Sequence, residues 1–530
     1  MKISQAKLIL LLALFFVAFD NTAFFSHVLE VYPLTWKNAG FLFSLAVGLT
    51  AVIVLLLTLI TSRKTIKPVA TILLVLSSLA AYFMNNYNVV IDHEMIRNIL
   101  QTNLHEATDL LSLKLLGYLL VLGILPSVLV WRVTIPRSPW KRALLARLAG
   151  VVGAVLLILV LVLSFSRFYT SFFREHKPLR YYTNPTYSIY SAWKYCKKTY
   201  FKKDVAARPL GLDAHIPEDD RDRELIIIVV GEAARADRFS LNGYQRETNP
   251  LLQRENVVSF SRMYSCGTST AYSVPCMFSS YTREDFTSGR GESTENLLDV
   301  LRHAGIHVLW RENNSDSKGV ADRVEFQDYR QPALNTVCDV ECRDVGMLVG
   351  LQEYIDSKQQ GDIVIVLHQM GNHGPAYYKR YPKEFERFTP VCETNQFDEC
   401  SNEEINNAYD NAILYTDFFL SRVIRLLKKN SDRFETAMLY MSDHGESLGE
   451  HNIYLHGLPY AMAPDEQKHI AAVFWFGPGI DVDGKRLAEK ADLPLSHDNL
   501  FHTVLGLVEV VDTPVYDRRL DILAAGGPPQ

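Results

Sequence analysis

Glu232, Asp443 and His444 are metal-ligand types, and each follows directly on an apolar run. Residues 225–230 lead into Gly231-Glu232, and residues 437–441 lead into Ser442-Asp443-His444-Gly445-Glu446. A third run, 363–367, leads into His368 and then Gly371-Asn372-His373-Gly374. One nitrogen and two carboxylates can hold a tetrahedral zinc ion and leave a fourth position open for chemistry. For any one of these residues, a satisfied polar group at a strand end is the commoner role. Three such ends together point to a metal-dependent catalytic site.

The fourth position has candidates in the hydroxyl-rich stretch SCGTSTAYSVPC at 265–276, which leads into a helix. A helix N-terminus stabilises a phosphoryl group through its free N–H groups and its dipole. A Thr or Ser hydroxyl bound there to zinc loses its proton readily and becomes a nucleophile. Thr268, Ser269 and Thr270 are all eligible on chemistry, and N-capping is the ordinary role for such residues. His368, His373 and His456 are a further set. Together they could hold a second metal, or hydrogen-bond phosphoryl oxygens and a leaving group. Asn314 and Lys318 follow the run 306–310. Lys318 suits a phosphate, although on sequence alone a solvated surface lysine is the better reading.

These residues need a scaffold that brings segments some 200 residues apart to one place. Short apolar runs of this kind read as buried parallel strands. Ligands of open α/β sheets bind beyond the carboxyl ends of the strands. Helical stretches at 294–305, 344–357 and 403–429 alternate with the runs. The pattern predicts an α/β domain over 223–523, with a mostly parallel sheet and helices on both faces. Residues 524–530 read as a frayed tail.

The 530-residue chain is 48% hydrophobic, an average over two unlike parts. Five apolar segments, about 8–29, 39–61, 66–84, 113–131 and 144–166, are long enough or nearly so to cross a bilayer. They predict a transmembrane domain over 1–168. The first is too long for a signal peptide and has no convincing cleavage site, so it reads as retained. Arg63, Lys64 and Lys67, and then Arg132, Arg137, Lys141, Arg142 and Arg147, place two loops in the cytoplasm. An odd number of spans puts everything after about residue 167 outside. Residues 169–222 are rich in Tyr, Trp and Lys and read as interface helices or a linker.

Six of the seven cysteines lie beyond residue 260. Six allow 15 connectivities, and short loops make Cys266–Cys276, Cys338–Cys342 and Cys392–Cys400 the economical set. Disulfides persist in an oxidising compartment such as the periplasm. Cys196 is left over. A net charge of −5 argues against nucleic acid as a partner. In the outer loop 85–112, Asn98, Thr102 and Glu106 recur at i, i+4 and i+8, on one helix face. From periodicity alone a solvated face is favoured.

The stretches GEAARAD at 231–237, SCGTST at 265–270, GNHGP at 371–375 and SDHGESLGE at 442–450 resemble the lipid A phosphoethanolamine transferases, which include the mobile colistin-resistance enzymes. The similarity covers nearly the whole chain. It implies an alkaline-phosphatase-like domain in the periplasm, anchored in the bacterial inner membrane. It implies Thr270 as nucleophile, with Glu232, Asp443 and His444 binding zinc beside it. His373, His456, Lys318 and Asn314 match positions for phosphate or a second zinc, and His368 matches a histidine of less certain role. Asn98, Thr102 and Glu106 match residues that receive the donor headgroup. The three cysteine pairings match too.

The expected activity is transfer of phosphoethanolamine from phosphatidylethanolamine to a lipid A phosphate, by a monomer, giving polymyxin resistance. Core sugars or another glycan are the alternative acceptors. A sulfatase needs a modifiable Cys or Ser in C/S-x-P-x-R, which the Thr270 loop lacks. Two departures stand out. Many members carry a cysteine pair where this chain has Ser317-Lys318-Gly319-Val320-Ala321, and close relatives often have Asn at His451.

Overall fold

The computed structural model describes residues 2–101, 110–174, 176–200, 207–480 and 482–524. It divides into two compact units: Met1–Ile96 with Leu111–Phe201, and Arg97–Leu110 with Lys202–Gln530.

The first unit is helical. Trp36–Ile60, Ile66–Tyr87, Leu113–Arg132 and Trp140–Ser164 are each long and apolar enough to cross a membrane. A fifth candidate is a bent pair, Gln5–Asp20 with Thr22–Val31, turned by 62°. The bend has a local cause. Buried Asn21 donates its side-chain amide to Phe16 O at 2.9 Å, next to a π-helical turn over Phe16–Asp20. A side chain inserted into the helix ladder breaks its run. Trp140–Ser164 leaves Leu145 and Leu163 exposed, as a lipid-facing helix would. Arg147 on that helix donates to Thr58 O at 2.8 Å and to Leu59 O at 3.1 Å. These are carbonyls that the end of Trp36–Ile60 leaves without a partner, and the cation suits the negative pole there.

The second unit is built on a seven-stranded sheet. In chain order the strands are β1 (Glu224–Gly231), β2 (Val258–Ser259), β3 (His307–Glu312), β4 (Glu325–Asp328), β5 (Ile363–His368), β6 (Glu435–Ser442) and β7 (Ala472–Phe476). Their order across the sheet is β2-β7-β6-β1-β5-β3-β4. The five strands from β6 to β4 are parallel. β7 runs antiparallel to both β6 and β2. Every residue of β1 is buried, which explains an unbroken apolar run rather than an alternating one. Helix Asn402–Asn430 opens with a Ser401/Glu404 capping box and carries Lys428 and Lys429 in its last turn. Both features suit the helix dipole. Disulfides join Cys266–Cys276, Cys338–Cys342 and Cys392–Cys400 as expected, and Cys196 is free and exposed.

At the amino end of the sheet, Glu224 opens β1 and Asp362 precedes β5. Glu224 N donates to Asp362 Oδ1 at 3.2 Å. Both carboxyls are buried, and Glu224 Oε2 and Asp362 Oδ2 have no hydrogen-bond partner among the described residues. Burial pushes Glu224 up to about 9, with the charge of Asp362 adding to it. Burial pushes Asp362 up as well. An acid raised on folding contributes full stability below its unfolded value and loses it as pH rises toward the folded value. In denaturant melts of the whole chain, stability should fall between pH 5 and 8.5 by about 1 kcal/mol, allowing for solvent screening. Glu224→Gln should flatten that slope. An unchanged slope in this variant would reject the pair as its source.

Candidate active site

β1 and β6 are neighbours in register, with Gly231 opposite Ser442, so their next residues leave the sheet side by side. Gly231 is required here because a Cβ would lie 2.6 Å from the Tyr440 ring. Asp443 N donates to Gly231 O at 2.9 Å. Ser442 Oγ ties the two exits, accepting from Ala234 N at 2.7 Å and donating to His444 O at 2.9 Å. Asp443 Oδ1 accepts from Ala233 N at 3.2 Å and from His444 N at 2.7 Å.

His444 Nδ1 donates to Gly445 O at 2.8 Å. A carbonyl can only accept, so Nδ1 carries a proton and Nε2 is the ring atom that faces the carboxylates. His444 Nε2 lies 3.2 Å from Glu232 Oε1 and 3.4 Å from Asp443 Oδ2. Thr270 Oγ1 is 3.4 Å from the same nitrogen and donates to Glu232 Oε2 at 3.1 Å. Thr270 is the first residue of helix Thr270–Met277, behind Ser269 as N-cap. Thr268 is spoken for elsewhere, its hydroxyl donating to Leu458 O at 2.6 Å.

All four side chains are buried. Glu232, Asp443 and His444 each offer a ligand atom, and these lie within 4.8 Å of one another. Glu232 Oε1 and Asp443 Oδ2 have no hydrogen-bond partner among the described residues. Burial pushes Asp443 up to about 6, helped by the charge of Glu232. Burial opposes a charged His444, yet the two carboxylates raise it to about 10. Burial also opposes ionised Glu232, yet His444 holds it low. Two carboxylates against one imidazole, away from water, call for a further cation. The N/O donor set and its size fit zinc.

Asn314 is buried and donates to Glu232 Oε2 at 2.7 Å and to Gln369 O at 2.8 Å, so it orients a candidate ligand. His368 is buried, with Nδ1 donating to Glu312 Oε2 at 2.9 Å. Burial works against its charge, but Glu312 raises its pKa. His456 Nδ1 donates to Glu446 Oε2 at 2.7 Å, and its ring sits 4.1 Å from that of His444 and 5.8 Å from that of His373. His444, Glu446 and His456 form a second ligand group within the same 4.8 Å limit. His373 Nδ1 is buried without a hydrogen-bond partner among the described residues.

No hydrogen bond or ion pair among the described residues joins Lys318 to this cluster. It is half-buried, with a left-handed backbone at φ 54°. His451 is exposed and belongs to neither ligand group. Asn98 is half-buried in helix His93–Gln101, whereas Thr102 and Glu106 lie outside the described residues.

Three buried carboxylates escaped the sequence reading. Glu446 accepts from Tyr377 Oη at 2.6 Å as well as from His456. Its position two residues after His444 was a visible signal. Glu312 also accepts from Trp310 Nε1 at 2.9 Å and from Asn314 N at 2.7 Å. Asp344 accepts from Met370 N at 2.9 Å and Gly371 N at 3.1 Å, holding the turn that carries His373. Gly371 sits at φ 51° with Glu232 backbone about 3.0 Å from where a Cβ would be, so only glycine fits.

Residues 224–510 match the sulfatase family, of the alkaline phosphatase superfamily, and residues 49–200 match the phosphoethanolamine transferase EptA/EptB family. The phosphatidylethanolamine transferase Mcr-1 of Escherichia coli is 43% identical over 529 residues, covering 97% of each chain. The chain belongs to the phosphoethanolamine transferase family. Phosphoethanolamine transferase EptA of Escherichia coli K12 is 41% identical over 529 residues, covering 97% of this chain and 96% of its own. The solved structure of the integral membrane protein lipooligosaccharide phosphoethanolamine transferase A from Neisseria meningitidis superposes with a TM-score of 0.95. It is 34% identical and both chains are fully covered. The transferase is therefore a membrane enzyme, with apolar helices first and a sulfatase-like α/β domain after them.

Proposed function

We propose that this transferase moves phosphoethanolamine from phosphatidylethanolamine to a phosphate of lipid A, with Thr270 as the nucleophile. The observation that carries this reading is the Thr270 hydroxyl, at a helix start, within hydrogen-bond reach of Glu232 and His444. A zinc ion held by Glu232, Asp443, His444 and Thr270 supplies Lewis acidity, easing loss of the hydroxyl proton and offsetting phosphoryl charge.

Glu232 Oε2 accepts the Thr270 proton, and Oγ1 attacks the phosphorus of the donor. The bond to the diacylglycerol oxygen breaks, and His456, oriented by Glu446, gives that oxygen its proton. Phosphoethanolamine is left esterified to Thr270. A hydroxyl oxygen of the acceptor phosphate then gives its proton to His456 and attacks the same phosphorus, and Thr270 Oγ1 leaves and recovers its proton from Glu232. The helix N-terminus and His373 bind the phosphoryl oxygens. Asn98, Thr102 and Glu106 receive the donor headgroup, the Glu106 carboxylate pairing with its ammonium.

The basic loops and three disulfides support a bacterial inner-membrane enzyme, acting as a monomer, whose catalytic domain faces the periplasm. The product gains a cation, which weakens binding of cationic polymyxins such as colistin. Mass spectrometry of lipid A from expressing cells tests the acceptor. A phosphoethanolamine increment on lipid A is expected. An increment confined to core sugars would move the acceptor and leave the chemistry. Glu446→Gln should lower the turnover number about tenfold or more, because His456 loses its orienting carboxylate. Unchanged turnover in that variant would remove His456 from the proton transfer.

A further inference from the structure

We propose that His497 is a positioning residue for the transfer, pinning the nucleophile loop to the loop that carries the candidate metal ligands. The inference rests on the proposed role of Thr270.

His497 opens a short turn, His497–Asn499, ahead of helix Leu500–Leu507, and is 1% exposed. Its Nδ1 accepts from Cys266 N at 3.1 Å, and its Nε2 lies 2.9 Å from Ser442 O. A backbone N–H must donate and a carbonyl must accept. The ring is therefore the neutral tautomer with its proton on Nε2, and both nitrogens are committed. Burial favours this neutral form, pushing the imidazole down to about 4.

The two partners are what give the bridge its significance. Cys266 begins the CGTST stretch that ends at Thr270. Ser442 ends β6 and directly precedes Asp443 and His444. One ring thus spans two segments that are otherwise distant in sequence, and it touches neither the Thr270 hydroxyl nor a ligand atom. The bridge is itself braced. Ser496 and Asn499 form a capping box around the turn, and Asp498 Oδ1 accepts from Arg283 N at 2.8 Å. On the far side of the loop, Tyr460 Oη donates to Ser265 O at 3.0 Å. A reacting oxygen misplaced by about 1 Å can cost on the order of a hundredfold in rate. A residue that sets loop spacing therefore acts on kcat without contacting substrate.

Two variants of the full chain in detergent separate positioning from mere structure. His497→Asn keeps an acceptor near Nδ1 and loses the donor to Ser442. His497→Gln brings an amide donor near Nε2 and loses the acceptor for Cys266. Transfer from a fluorescent phosphatidylethanolamine would be followed at varied donor, with zinc content and folded fraction measured on the same samples. For His497→Gln, kcat per folded, zinc-loaded molecule should fall about 10- to 100-fold, with KM for the donor within about twofold. His497→Asn should retain more activity, because its link to the nucleophile loop survives. Wild-type kcat per folded molecule in His497→Gln would overturn the inference, as would losses that follow the folded fraction alone. If Thr270→Ala still transferred, the proposed function would fail and the inference with it. Loss in Thr270→Ala with full kcat in both His497 variants would sink the inference alone.

Discussion

Thr270→Ala should abolish transfer, lowering its rate by at least about three orders of magnitude, and no covalent phosphoethanolamine should be found on the protein. Three adjacent hydroxyls are chemically eligible, but geometry separates them. Thr268 is engaged with Leu458 O, and Ser269 occupies the N-cap. Only Thr270 is hydrogen-bonded to Glu232 and within reach of His444. Thr270→Ser keeps the oxygen and should recover measurable transfer, since it loses only the methyl group that limits rotation about χ1. Intact-protein mass spectrometry after a rapid quench, with peptide mapping, is the direct check. A phosphoethanolamine adduct on Thr268 or Ser269, or transfer that survives in Thr270→Ala, would end the proposed mechanism.

Stripping the metal should have an effect of similar size. Prolonged chelation is expected to reduce transfer about a thousandfold, and added zinc should restore it. Asp443→Asn should reproduce the loss without chelator, because it removes one of two anionic ligands and leaves His444 beside Glu232 alone. Elemental analysis of the purified protein would read the change as zinc per chain. Full activity at negligible zinc content would exclude a zinc role. Circular dichroism should show the fold retained in both cases, since the sheet is held by its own ladder.

The four parallel strands that flank the site were legible because each is buried on both faces and reads as a continuous apolar run. The candidate ligand residues stood out because they come just after those runs. The disulfides followed from short spacing. Other features depend on contacts that no local pattern encodes. The run AVFWF at 472–476 is as apolar as its neighbours, but nothing in it states that β7 runs against β6. The resemblance groups Asn314 with residues for phosphate or a second zinc, and no local pattern shows that its amide lies on Glu232 from 82 residues away. Glu312 and Asp344 carry no local signal that sets them apart from other acids. Their importance comes from the imidazole and backbone N–H groups that packing brings to them. The bend in the first apolar segment turns on one side chain, Asn21, in a stretch whose hydropathy reads as continuous.

Ala234 N donates to Ser442 Oγ, which in turn donates to His444 O, and Asp443 N donates to Gly231 O, so hydrogen bonds to main-chain atoms tie the two candidate ligand loops together. The cage is thus shaped by the chain itself, as a socket made before its plug. On the proposed zinc role, an enzyme built this way would hold its loops in place before the ion arrives, and a returning supply of zinc would restart idle copies without new synthesis.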